Sequence, residues 1–319
     1  MEKYSIGIDL GGTKILIALV DRASGEVVGV VKKITKKEKG PKKITKKLLE
    51  GIDELIESYK INLNNISSIG IGAAGQIDRN NGIILGAPNL ECFDFRIKEM
   101  LSEHFNIPIY LGNDLEVAAI GEQKFGAGRD SDDFVCIFVG TGVGSCIIKG
   151  GSIIYGNTGT AGEIGHMIVD LNGRPCACGA HGCLEAYASR SAIETRIDGA
   201  LRKGRTSCIS EYLEEGKSIT SGMIKKSIDR NDELVLQCVN EASEYLSGGI
   251  ASIVNLINPE LIILGGGLID AVDYFYNETV KKAKLKSLPI PAKTIKFRKA
   301  ELGDYSGVIG AAFLEDRIL

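Results

Sequence analysis

A short unit occurs twice in this chain, and its repetition constrains the fold more than any other feature. Tyr4 to Asp9 reads as a strand, Leu10-Gly11-Gly12-Thr13-Lys14 as a glycine turn, and Ile15 to Val20 as a second strand. Phe134 to Val139, Gly140-Thr141-Gly142 and Val143 to Ile148 repeat the arrangement, and a Gly150-Gly151 hairpin leads into a third strand at Ile153 to Tyr155. This is strand, turn, strand, not the strand-to-helix transition of a dinucleotide fingerprint or a G-x-x-x-x-G-K-[ST] loop. Backbone amides in such a turn can still form an anion-binding concavity, and Thr13 and Lys14 add a hydroxyl and a positive charge. Glycine pairs in hairpins also arise for conformational reasons alone. Two copies imply two related α/β domains facing each other across a cleft, with the two turns gripping a polyphosphate from opposite sides.

Other strand ends carry polar or glycine-rich segments. Ile107 to Leu111 delivers Gly112-Asn113-Asp114 ahead of a helix from Leu115 to Phe125. Open α/β sheets bind ligands at the carboxyl ends of their strands, where a carboxylate can act as a base or a metal ligand. Asn113 or Asp114 is equally suited to cap the helix, and both readings hold if one caps while the other faces a ligand. Leu261 to Leu264 runs into Gly265-Gly266-Gly267, which leaves room for a flat ligand or permits close helix–strand packing. Helices are expected over Leu184–Leu201, Ser218–Asp229 and Asp232–Ile257, and a small-residue helix over Tyr305–Ala312.

Chemistry concentrates between Gly162 and Ala186. Cys176, Cys178 and Cys183 follow the spacing C-x-C-x4-C, with His166 upstream. Three thiolates and an imidazole make the ligand set of a closed tetrahedral zinc site, and short spacers let one tight loop supply the thiolates at little closure entropy. Gly179 and Gly182 sit where such a loop needs tight turns. A bridge between Cys176 and Cys178 is strained and leaves an odd thiol, so a disulfide is the weaker reading.

Composition excludes several classes. The chain has 319 residues, 25% of them charged, and a net charge of −3, which gives no global signature of nucleic-acid binding. The basic run Lys32–Lys47 has no interleaved aromatic residue and reads as a solvated surface at a strand end, a Gly40-Pro41 turn and a helix start. No apolar run approaches the ~18–20 residues of a membrane span. The first residues enter a strand pattern without a signal-like segment, and the scattered cysteines Cys92, Cys136, Cys146, Cys208 and Cys238 fit a reducing cytoplasm.

Taken together, the motif Asp9 to Lys14, Gly112-Asn113-Asp114, Gly140-Thr141-Gly142, Glu163-Ile164-Gly165-His166 and the box C-x-C-G-x-x-G-C-x-E from Cys176 to Glu185 resemble the ROK family of sugar kinases and repressors. The likeness runs from about Tyr4 to Leu314 in the family's order, and the cysteine box is most similar to that of bacterial and archaeal glucokinases. The resemblance implies an actin-like (hexokinase, Hsp70) α/β fold with a ribonuclease H-like motif in each of two domains. These would be a small one at 1–112 plus 305–319 and a large one at 113–304. It implies a catalytic base at Asp114 and a sugar-binding set of Asn89, Asn113, Asp114, Glu163, His166 and Glu185. ATP would be held by Gly11, Gly12, Thr13, Lys14, Gly140, Thr141, Gly142, Gly265, Gly266 and Gly267, with Asp9 in the magnesium–phosphate region. His166 would serve both zinc and sugar. The expected cofactors are a structural Zn2+ and the Mg2+ that accompanies ATP.

The activity implied is transfer of the γ-phosphate to a hexose hydroxyl, glucose to glucose 6-phosphate, by a cytoplasmic homodimer or homotetramer. Kinases of fructose, N-acetylmannosamine and N-acetylglucosamine share these motifs, and Gly75, Gln76 and Asn157 are candidates for discriminating among them. A sugar-responsive repressor would carry an amino-terminal DNA-binding segment, for which a first strand at Tyr4 leaves no room. A non-catalytic sugar sensor would not need Asp114 and both glycine–threonine turns.

Overall fold

The structure, a computed structural model, describes residues 3–35, 39–213 and 218–317. The middle of the basic run (36–38) and the outermost residues of the expected small domain (1–2 and 318–319) lie outside the described residues. Contacts divide the chain into two units, Met1–Asp130 with Glu301–Leu319, and Ser131–Ala300.

In the first unit, β1 (Tyr4–Leu10), β2 (Lys14–Asp21) and β3 (Val27–Ile34) form an antiparallel meander. Helix α1 (Pro41–Tyr59) follows and buries Ile44, Leu48, Ile52 and Leu55, the one face that a 3.6-residue period brings together. Next comes β4 (Ile66–Ala73), parallel to β1. A side sheet of β5 (Gln76–Asp78), β6 (Ile83–Ala87) and β7 (Cys92–Phe95) precedes α2 (Ile97–Ser102) and β8 (Ile109–Asn113), which is parallel to β4. Helix α3 (Asp114–Phe125) leaves the end of β8. The sheet order is β3-β2-β1-β4-β8.

The second unit repeats this plan. β9 (Phe134–Val139), β10 (Val143–Lys149) and β11 (Ser152–Ile153) form its meander. Helices α4 (Glu185–Ala188), α5 (Arg190–Arg202), α6 (Ser221–Asp229) and α7 (Glu233–Ile257) precede β12 (Leu261–Gly265), which is parallel to β9. Then come α8 (Gly267–Ala271), α9 (Asp273–Lys286), α10 (Pro289–Thr294) and the edge strand β13 (Lys296–Lys299). The order β11-β10-β9-β12-β13 matches the first sheet, three antiparallel strands followed by two parallel ones, so each unit carries the ribonuclease H-like motif.

The chain ends by returning to the first unit as α11 (Ser306–Ala311). Its backbone lies directly on the sheet and on α3. Gly7 and Gly70 are register partners on β1 and β4, and a Cβ on either would overlap the carbonyl oxygens of Val308 and Ala311. A Cβ on Gly310 would overlap the carbonyl of Val117 on α3. This packing keeps α3 with the first unit, so the contact boundaries fall at Asp130/Ser131 and Ala300/Glu301 rather than at 112/113 and 304/305.

One local expectation changes on folding. The helix expected over Leu184–Leu201 is broken at Ser189, whose side chain accepts the Ala192 N–H and caps α5. Within α7, Gly249 packs closely against Leu184, and nothing crowds its neighbour Gly248. No described helix is long and apolar enough to cross a membrane.

Candidate active site and metal centre

In the first unit the carboxyl ends of β1, β4 and β8 lie side by side. The registers pair Asp9 with Gly72 and Gly72 with Gly112, then Leu10 with Ala73 and Ala73 with Asn113. Asp114 therefore follows one step beyond the edge at which Asp9 sits. Asn113 is the helix cap: its Oδ1 accepts the Leu115 N–H at 2.9 Å, and Glu116 returns the bond by accepting the Asn113 N–H at 3.2 Å. Its Nδ2 donates to the Gly75 carbonyl at 3.2 Å. Capping thus falls to Asn113, and Asp114 becomes the first residue of α3, at the positive end of the helix dipole.

Burial first, and the negative charge of Asp114 second, push the Asp9 carboxyl up to about 6 against the opposing charge of Lys14. Among the described residues, no donor forms a hydrogen bond to Asp9. Two carboxylates near one another, with one under-compensated, are suited to a cation. The glycine turn beside them is held by the Gly11 N–H to the Lys14 carbonyl at 3.1 Å, by Thr35, which donates to both Thr13 and Gly11 carbonyls, and by Lys14 pairing with Asp304 at 3.5 Å. Asn89 packs on this turn, since a Cβ on Gly12 would meet its Cβ at 3.1 Å.

In the second unit the Gly140-Thr141-Gly142 turn closes through the Gly140 N–H to the Gly142 carbonyl at 2.9 Å. Glu185, at the start of α4, accepts the Val143 N–H through Oε2 at 2.9 Å and crowds Gly142. On the other side, the Arg190 N–H donates to the Gly140 carbonyl at 2.9 Å and its Nη2 donates to Thr141 Oγ1 at 3.1 Å. Only part of the glycine triplet is open. Gly266 has φ +89° and lies against the Val139 backbone, Gly265 against Phe138 and Ala300, while nothing crowds Gly267. Packing therefore accounts for Gly265 and Gly266, and space for a ligand remains at Gly267.

The knuckle is built by two facing segments. Ile168 bridges Cys183 and the Leu184 N–H donates to the Met167 carbonyl at 2.9 Å, which brings His166 over the thiols. The Cys176 N–H donates to the Ala180 carbonyl, and Gly179 and Gly182 take positive φ, +93° and +79°. A Cβ at Gly182 would strike the Asp170 carbonyl. The ligand atoms of His166, Cys176, Cys178 and Cys183 all lie within 4.8 Å of one another. Cys176 Sγ is 3.8 Å from His166 Nδ1, and Cys178 Sγ is 3.6 Å from Cys183 Sγ. A tetrahedron with metal–sulfur bonds of ~2.3 Å has edges of ~3.7 Å, so the spacing fits one small ion. The Ala180 N–H pulls the Cys178 thiol down to about 7, whereas burial pushes Cys183 up to about 12. A buried thiol of that kind needs a cation to become a thiolate. With Nδ1 toward the thiols, the opposite nitrogen of the exposed His166 is left for another partner, and the exposed Glu163 begins the short turn that His166 ends.

Comparison with known proteins decides the family, because residues 5–317 match the ROK family. The chain belongs to the ROK family. Among ROK relatives, a glucokinase of Halalkalibacterium halodurans is 33% identical over 314 residues, covering 98% of this chain and 95% of the relative. The crystal structure of a ROK glucokinase from Streptomyces griseus, in complex with glucose and AMPPNP, superposes with a TM-score of 0.82 at 29% identity, covering 98% of each chain. A ROK transcriptional regulator, homologous to the Escherichia coli MLC protein, superposes with a TM-score of 0.88 at 28% identity, covering 99% of this chain and 78% of the regulator. The fold is accordingly the actin-like fold of the ROK sugar kinases.

Sequence reasoning named Asp9, Asn113, Asp114 and the first glycine turn, and folding gathers these in one unit. Glu163, His166, Glu185, the second turn and the cysteines gather in the other. It missed Asp304 and Arg190, which reach the two turns from far along the chain and carry no local motif.

Proposed function

We propose that this chain is an ATP-dependent sugar kinase, with glucose as its acceptor and Asp114 as general base. The observation that carries the reading is the pairing of Asp114 with Asp9 at one strand edge beside a basic glycine turn. Kinase relatives that match along nearly their whole length support it.

Phosphoryl transfer needs alignment and charge neutralisation more than covalent help. Asp114 accepts the proton of the attacking hydroxyl, a contribution of about 10²–10⁴-fold. Lys14, Thr13 and the amides of both glycine turns take phosphate oxygens, and Gly267 admits the base of the nucleotide. Asp9 would hold the magnesium that accompanies ATP, which would supply the remaining positive charge. Sugar hydroxyls are held by Asn89, Asn113, Glu163, Glu185 through Oε1, and the outward nitrogen of His166. Zinc, when bound by His166, Cys176, Cys178 and Cys183, fills a closed coordination sphere and orders this loop.

A coupled assay with ATP and a panel of glucose, mannose, fructose and N-acetylated sugars tests the reading. Glucose is expected to give the highest kcat/KM, and Asp114→Asn to bind glucose yet turn it over at least a hundredfold more slowly. Near-normal turnover by Asp114→Asn would defeat the base assignment. A second reading, a sugar-binding regulator without catalysis, draws on the close superposition with the ROK regulator. Sugar binding with no phosphorylation by the wild-type chain would select it.

A further inference from the structure

The second glycine turn is held by a side chain that the family motifs leave out. Arg190 is the first residue of α5, so its N–H has no acceptor within the helix and goes instead to the Gly140 carbonyl. Its guanidinium is locked before it reaches the turn. Nη1 donates to the Ile219 carbonyl at 2.7 Å and to Glu194 at 3.1 Å, and Glu194 in turn accepts the Ile219 N–H at 2.9 Å. The planar fork then fixes the direction of Nη2, which donates to Thr141 Oγ1 at 3.1 Å.

An arginine can only donate, so it occupies a lone pair of the Thr141 hydroxyl and turns that hydroxyl's proton away from itself. Thr141 is exposed, and among the described residues its N–H and that of Gly142 find no acceptor. The turn thus offers two amides and one oriented hydroxyl, all of them donors, to an anion.

Building on the kinase reading above, we infer that Arg190 is a positioning residue for the nucleotide. It makes Thr141 an obligate hydrogen-bond donor to a phosphate oxygen of ATP, and acts through that hydroxyl rather than by its own contact.

The test is a double-mutant cycle on the full-length protein, with Arg190→Ala, Arg190→Lys, Thr141→Val and the pair Arg190→Ala/Thr141→Val. Binding of AMPPNP with magnesium is measured by calorimetry, and KM for ATP and for sugar by coupled assay. Arg190→Ala and Thr141→Val are each expected to weaken nucleotide binding about tenfold with little change in KM for sugar. Arg190→Lys, which keeps the charge without the fixed fork, should recover only part of the loss. The pair should be no weaker than Thr141→Val alone. Additive losses would overturn the inference, since they mean that Arg190 touches the nucleotide itself or merely supports the fold. Unchanged binding by Arg190→Ala, with the wild type binding normally, would overturn it while leaving the kinase reading intact. A wild type that binds no nucleotide would overturn both.

Discussion

The carboxyl group of Asp9 carries a consequence opposite to that of an ordinary surface acid. Burial and the charge of Asp114 lift it from 3.8 to about 6 in the folded chain. The folded state therefore binds the Asp9 proton more tightly than the unfolded state does. Stability rises as pH falls through about 6, and the gain is complete below the unfolded value near 3.8. Above pH 7 the ionised group acts against the fold. At about 1.4 kcal/mol per pKa unit, the shift corresponds to at most about 3 kcal/mol. Asp9→Asn removes the charge at nearly constant shape, so at pH 8 the metal-free variant should be the more stable protein. For a unit of roughly 150 residues, each kcal/mol moves Tm by about 2–4 °C, so the shift is at most about 6–12 °C.

The measurement is thermal unfolding of wild type and Asp9→Asn between pH 4 and pH 8.5 in magnesium-free buffer. A chelator is left out because it would also strip the cysteine cluster. The gap should be widest above pH 7 and close towards pH 4. Added magnesium with AMPPNP should narrow it from the other side, by stabilising wild type while leaving the variant behind. Asp114→Asn should produce a smaller stabilisation of the same sign, and adding it to Asp9→Asn should give less than the sum, because the two charges act on each other. Equal melting temperatures at pH 8, or a gap that persists unchanged at pH 4, would refute the argument that Asp9 holds an uncompensated charge.

Three further outcomes are expected. Purified protein should carry one zinc per chain by elemental analysis, and Cys183→Ser should carry none and melt several degrees lower, since its buried thiol closes the four-ligand cluster; full zinc occupancy in that variant would exclude the site. Gly310→Ala should destabilise the first unit by about 2 kcal/mol or more in urea unfolding, because its methyl has no room beside the Val117 carbonyl, and a change below ~0.5 kcal/mol would mean that α11 can lift off α3. Glu122 is fully buried and accepts the N–H groups of Ala127, Glu301 and Leu302; Glu122→Gln turns one acceptor into a donor and should lose about 1–3 kcal/mol by the same assay.

What could be read in advance divides by range along the chain. The repeated strand–turn–strand unit, a helix cap at Asn113 or Asp114 (Asn113 in the structure) and the cysteine spacing are local, and each is written within a few residues of where it acts. Their chemistry survives folding because short segments have few alternative geometries. The helix break at Ser189 is also local, but its capping hydrogen bond to Ala192 competes with a continuous apolar pattern on both sides, and periodicity alone favours the longer helix. The glycine triplet was ambiguous for another reason. Whether glycine makes room for a ligand or for a neighbouring strand depends on what stands opposite, and Val139, Phe138 and Ala300 occupy that position for two of the three. The grip of Arg190 on Thr141 and of Asp304 on Lys14 lies furthest out of reach. Each joins a motif to a residue with no motif of its own, across a separation set only by the order of the strands. A site of this kind is therefore legible in its reactive groups and hidden in its supports, because reactive groups answer to chemistry that few residue types can perform, while many residues can supply a single well-aimed hydrogen bond.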